Sequence, residues 1–90
     1  MDDRPEVTIY AARTCPYCWR AERLLTDNGI AYTRIAVWRF LPGQRKALAA
    51  RFGPGHTTVP QIVINGEHVG GCDDLVALER SGQLDKLLAP

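Results

Sequence analysis

Cys15-Pro16-Tyr17-Cys18 places two thiols three positions apart, a spacing that can open and close a disulfide. The pair falls at the start of a predicted helix that runs to Asn28-Gly29, and this makes the two thiols unequal. At the N-cap, the Cys15 sulfur can accept hydrogen bonds from the unpaired main-chain N–H groups of Tyr17 and Cys18. The positive end of the helix dipole acts in the same sense. Both favour thiolate over thiol, which lowers the pKa and makes Cys15 a nucleophile at neutral pH. Arg13, two residues earlier, adds positive potential. Cys18 lies one turn inside, on the same side as Cys15 and without such N–H groups, so it is placed to resolve a mixed disulfide rather than to start one.

Other chemistry is compatible with the pair alone. Two cysteines at this spacing can form half of a zinc site, but Cys72, His56 and His68 do not form a second closely spaced pair to complete it. A structural disulfide would close a very small loop and stabilise little. A coincidence of two inert cysteines also stays open at this point.

Composition narrows the setting. A chain of 90 residues buries only about 60–65% of the surface its unfolded form exposes, so a substrate is expected in a surface groove rather than an enclosed cavity. Hydrophobic residues at 46% and charged residues at 23% describe an ordinary globular domain. The net charge is +1 and the cations are scattered, so neither nucleic acid nor an anionic membrane is an expected partner. The acidic start Met1-Asp2-Asp3-Arg4-Pro5 lacks the apolar core of a signal peptide, and no apolar run reaches transmembrane length. A cytoplasmic protein is expected, where thiols stay reduced and cysteines serve chemistry or metal more than stapling.

The elements that must position Cys15 follow from periodicity. Val7-Thr8-Ile9-Tyr10 alternates and predicts a strand, so the thiol sits just past that strand's carboxyl end. Pro16 suits the first helical position, Ala21, Leu24, Leu25 and Asn28 recur at helical spacing, and Gly29 is the expected terminator. Residues 30–35 predict a second strand, parallel to the first through a right-handed crossover. The apolar stretch Trp38-Arg39-Phe40-Leu41 has no clean period and is read as strand end or loop. A second helix is predicted over residues 42–52 with Leu41, Leu48, Ala49 and Phe52 inward, stopped by Gly53-Pro54-Gly55. Residues 59–64 predict a strand, Asn65-Gly66 a two-residue hairpin turn, and Glu67-His68-Val69 the returning strand. Helix follows over residues 73–80 with Leu75, Val76 and Leu78 inward, then a last helical turn through Leu84, Leu87 and Leu88. The order is β-α-β-α-β-β-α.

Four segments, Cys15-Pro16-Tyr17-Cys18, Thr58-Val59-Pro60-Gln61, Asn65-Gly66 and Gly70-Gly71-Cys72-Asp73-Asp74-Leu75, stand at fixed separations on that order. Over nearly its full length the chain resembles a small bacterial dithiol glutaredoxin. The resemblance implies an α/β, thioredoxin-like fold with a four-stranded mixed sheet flanked by helices, as one domain over residues 1–90. It implies a redox-active Cys15-Cys18 disulfide and glutathione as reductant and co-substrate, with no metal. It also implies a cis Val59-Pro60 peptide beside Cys15, where the Val59 main chain pairs with the cysteinyl part of glutathione, flanked by Thr58 and Pro60. Main-chain N–H groups around Gly71, Cys72 and Asp73 would take the γ-glutamyl carboxylate, the Asp73 side chain would face its amine, and Tyr17 would flank the groove. The implied partners are glutathionylated or disulfide-bonded proteins, ribonucleotide reductase among the family's substrates, with the enzyme acting as a monomer.

Two departures stand out. Family members commonly carry Lys or Arg three residues before the nucleophile, to hold the glycine carboxylate of glutathione; here that residue is Ala12, and Arg13, Arg51 and His56 are the substitutes to consider. The stretch from Trp38 to Leu41 also runs longer than in close relatives. Iron–sulfur carriage, known in some relatives, is opposed by Pro16, where cluster-binding members usually have Gly or Ser. Reduction by thioredoxin reductase in place of glutathione is a third reading, motivated by Ala12. Cys72 and His68 are expected to be a half-buried and a surface residue without assigned roles, and Trp19 to lie beside the active motif.

Overall fold

The strand β1, Val7–Ala11, occupies an inner position of the sheet and leads directly to the cysteine pair. A computed structural model describes residues 5–38, 43–55 and 57–89. The helix α1, Pro16–Asp27, follows β1 and ends in the geometry its sequence predicts. Gly29 has φ +69°, its N–H bonds the Thr26 carbonyl, and the Ile30 N–H bonds the Leu25 carbonyl at 2.9 Å. This double closure uses Ile30 as part of the helix stop. The second strand, β2, accordingly starts later than the β-rich run suggests, at Thr33–Ala36.

The helix α2 spans Gln44–Phe52, then come β3, Gln61–Ile64, β4, Glu67–Gly70, α3, Cys72–Ser81, and a separate short α4, Gln83–Leu88. The expected order holds, with the last helical turn forming an element of its own. Phe40 and Leu41, like His56, lie outside the described residues. Sheet order is β2-β1-β3-β4, with β1 and β2 parallel and the other two pairings antiparallel. Asn65 and Gly66 both have positive φ, +50° and +83°, the backbone that a tight hairpin turn between twisted strands requires. Asn65 also accepts from the Glu6 N–H and donates to the Leu87 carbonyl, tying the start of β1 to the end of α4.

Strand alternation sorts the core onto two faces. Val7, Ile9, Ala11, Ile62 and Ile64 point toward Ala21 and Leu25 of α1 and Leu75 of α3. On the other face Tyr10 and Val37 pack with Leu48 of α2, joined by Phe52 and Val63. The antiparallel β1–β3 register sets Tyr10 opposite Gln61, and β3–β4 sets Ile62 opposite Gly70. One end of the sheet therefore gathers the exit of β1, the entry of β3 and the exit of β4 into α3. That end carries the cysteines.

Leu75 is fully buried between α3 and the sheet. Its replacement, Leu75→Ala, is expected to cost about 2–5 kcal/mol, read as a lower urea midpoint at an unchanged m-value.

Candidate active site

Cys15 is the N-cap of α1, with extended backbone at φ −137° and ψ 103°, and Pro16 occupies the first helical turn where its missing N–H is not needed. The Cys18 N–H donates to the Cys15 sulfur at 3.1 Å. Cys15 and Cys18 form a disulfide with Cα atoms 5.1 Å apart. Cys15 retains 4% exposure and Cys18 none, so an incoming molecule can reach only the outer sulfur. On reduction, the N–H that meets this sulfur favours its thiolate form.

Across the sheet end, the Cys15 sulfur lies 3.9 Å from the Val59 carbonyl. The Val59-Pro60 peptide is cis. Residues 57–60 belong to no strand, and the β3 ladder begins at Gln61, later than the apolar run suggests. Here the Val59 main chain stands beside the sulfur without being committed to a neighbouring strand.

The helix α3 closes the other wall. Gly71 caps it, and an added Cβ on Gly71 would meet the Pro60 carbonyl at 3.3 Å, so the helix start is pressed against the proline loop. The Asp74 carboxylate accepts from the Gly71 N–H at 2.9 Å, half of a capping box that the spacing from Gly71 to Asp74 makes readable in sequence. Gly70, at φ +112°, has no room for a side chain because a Cβ there would collide with that carboxylate. The next N–H groups of α3, on Cys72 and Asp73, belong to a first turn that has no intrahelical acceptors and suits an anion.

These segments enclose an open groove of about 330 Å³. Tyr17, Thr58, Val59, Pro60, Gly71, Cys72 and Asp73 all line it, as do Gln61 and Asp74. Tyr17 is 59% exposed and stands over the groove as a free aromatic face. Arg13 is exposed and is not part of the lining; its carbonyl accepts from the Trp19 indole N–H at 3.2 Å, which lays Trp19 along the loop before Cys15. The cation that reaches Ala12 is Arg34, which donates to the Ala12 carbonyl at 3.2 Å and pairs with Glu22 at 3.2 Å. Arg51 instead covers the Tyr10 ring at 5.1 Å. His68 is not the surface residue the hairpin suggested: it is half-buried, stacked on Phe52 and bonded to Gln61. Among the described residues, no three His, Cys, Asp or Glu side chains gather as a metal site.

Residues 7–69 match the glutaredoxin family model. The chain belongs to the glutaredoxin family. It is 52% identical over 85 residues to a glutaredoxin of Pseudomonas aeruginosa, covering 94% of this chain and 98% of that one. The solution structure of glutaredoxin from Brucella melitensis superposes with a TM-score of 0.80 at 43% identity, over 98% of this chain and 92% of that one. The crystal structure of a buckwheat glutaredoxin–glutathione complex superposes with a TM-score of 0.79 at 29% identity, over 91% and 74%. The four-stranded sheet with its helices is thus the thioredoxin-like fold, and the chain is a thiol–disulfide oxidoreductase with Cys15 and Cys18 as its dithiol pair. No helix among the described residues is long and apolar enough to cross a membrane.

Cys72, the buried third thiol, behaves differently from Cys15. Burial pushes its pKa up, Arg20 opposes this and Asp73 adds to it. Because the folded-state pKa is the higher one, the associated stability is whole at neutral pH and is lost as pH rises through that value. In the reduced glutaredoxin at neutral pH, iodoacetamide is expected to label Cys15 well before Cys72. Cys72 labelling should accelerate only above the ordinary thiol pKa, as mass spectrometry of quenched time points can show.

Proposed function

We propose that this glutaredoxin uses glutathione to reduce protein–glutathione mixed disulfides, and reduces protein disulfides through both cysteines. The observation that carries the reading is the Cys15 sulfur lying 3.9 Å from the carbonyl of Val59, a residue that lines a groove ending on the start of α3. Such a groove suits a short peptide thiol: main chain to pair with at Val59, and a helix N-terminus for a carboxylate. Tyr17, Thr58, Pro60, Gly71, Cys72 and Asp73 form its walls, with the Asp73 carboxylate suited to an amine. The buckwheat relative whose structure is a complex with glutathione supports that choice of peptide.

In the first step the Cys15 thiolate attacks the glutathione sulfur of the mixed disulfide, and the protein thiol leaves. A glutathione thiolate then attacks the Cys15–glutathione disulfide, releasing oxidised glutathione and restoring the Cys15 thiolate. With a protein disulfide, Cys15 forms a mixed disulfide with the substrate, and Cys18 attacks Cys15 to release the reduced protein and leave the Cys15–Cys18 disulfide. Complete burial restricts Cys18 to this internal step. Glutaredoxins have potentials of roughly −200 to −230 mV, within reach of a cytosolic glutathione pool at about −220 to −260 mV. Ribonucleotide reductase is one protein of the class that such an enzyme would serve, and a monomer is sufficient for the chemistry.

The two cysteines are separated by substitution. Cys15→Ser is expected to abolish turnover of a glutathione mixed disulfide. Cys18→Ser should retain most of that turnover while losing most activity on an intramolecular protein disulfide, both followed through glutathione reductase and NADPH oxidation. Equal loss in the two variants on the glutathione mixed disulfide would show the assigned roles to be wrong, and a preference for thioredoxin reductase as electron donor would remove glutathione from the cycle.

A further inference from the structure

Among the described residues, Gln61 is the polar side chain buried in the core, at 2% exposure, and both ends of its amide are used. Nε2 donates to the Thr58 carbonyl at 2.8 Å, and Oε1 lies 2.7 Å from His68 Nε2. A carbonyl can only accept, so the amide nitrogen must face Thr58 and the amide oxygen must face the imidazole. His68 Nε2 therefore carries the proton. The imidazole is held in turn by Phe52, with ring centroids 4.4 Å apart and planes 25° from parallel. Phe52 meets Tyr10 edge-on at 5.1 Å. A chain of fixed groups thus runs from α2 and β4, through Gln61, to the carbonyl that immediately precedes Val59.

This support meets a specific need. If the Val59 main chain is to pair with a substrate, it cannot also pair with a neighbouring strand, so sheet hydrogen bonds cannot fix it. The segment is anchored from behind instead. Pro60 is packed by Gly71, and Thr58 is bonded by Gln61. An apolar residue could fill the Gln61 site without the desolvation cost of an amide. What the amide adds is a donor aimed at one carbonyl.

We propose that Gln61, itself oriented by His68, is a positioning residue that fixes the Thr58–Val59 main chain for the substrate and so governs substrate affinity, while leaving the reactivity of Cys15 unchanged. The inference rests on the reading of the groove as the site of the glutathione moiety. Cys15 draws its activation from the Cys18 N–H, on a different segment from Gln61, which is why the two properties separate.

Gln61→Met keeps length and burial but removes both hydrogen bonds, whereas His68→Phe keeps a ring against Phe52 and removes the donor to Gln61. With a short glutathionylated peptide as substrate, Gln61→Met is expected to raise KM roughly tenfold and His68→Phe about threefold, the scale of one hydrogen bond or less. The kcat and the Cys15 thiol pKa, measured from the pH dependence of alkylation, should stay within about twofold and a few tenths of a unit of the wild type. An unchanged KM in folded Gln61→Met overturns the proposal, as does a joint change in KM, kcat and thiol pKa, which would mark general damage to the site. If Gln61→Met does not fold, His68→Phe decides in the same way: a raised KM alone supports the role and an unchanged KM removes it. Wild-type protein that fails to turn over the glutathionylated peptide would instead overturn the functional reading and this inference with it. A functioning wild type with an indifferent Gln61→Met overturns the positioning role alone.

Discussion

Every α-helix starts with N–H groups that its own carbonyls cannot reach, and in this glutaredoxin one at the head of α1, that of Cys18, is met by a sulfur. Pro16 has no N–H to satisfy, and the Cys18 N–H is turned onto Cys15. The same bond that begins the helix therefore holds the Cys15 sulfur in place and favours its thiolate form. Moving Cys15 off the N-cap would remove both effects together, since both come from the one bond.

The rest of the fold brings partners to that sulfur. Because β1 and β3 are antiparallel, the exit of one lies beside the entry of the other, and the cis Val59-Pro60 segment arrives next to Cys15. Because β4 returns alongside β3, its exit into α3 delivers a second helix start to the same corner. Gly70 and Gly71 permit the approach, one by its left-handed backbone under Asp74 and the other by close contact with Pro60. The site is a junction of three loops whose positions are all set by one sheet register.

Much of this was legible in the sequence because its signals are local. The Cys15 cap, the Gly29 stop and the Asn65-Gly66 turn each depend on a few neighbouring residues and each stands in the structure, the cap through the Cys18 N–H and without the expected bond from Tyr17. Boundaries moved where a hydrogen bond outside the run claimed a residue: Ile30 was taken by the helix stop, and Val59 was withheld from the ladder by the proline loop. Gln61 and His68 were not assignable, because their meaning lies in a contact between adjacent strands and a ring on α2. Arg34 reaches Ala12 for a similar reason, through the parallel pairing of β2 with β1. Alternation shows which face a residue is on, but not which neighbour waits there.

The sulfur and its cap are three residues apart, whereas the sulfur and the Val59 carbonyl are separated by 44 positions. On the proposed function, nucleophilicity is consequently a property of one helical turn, and discrimination among disulfides a property of the whole sheet. A chain that has formed α1 but not yet joined β1 to β3 holds an awakened thiol with nothing to choose its partner. Loosening the sheet would act in the same direction, making the protein indiscriminate before making it inert.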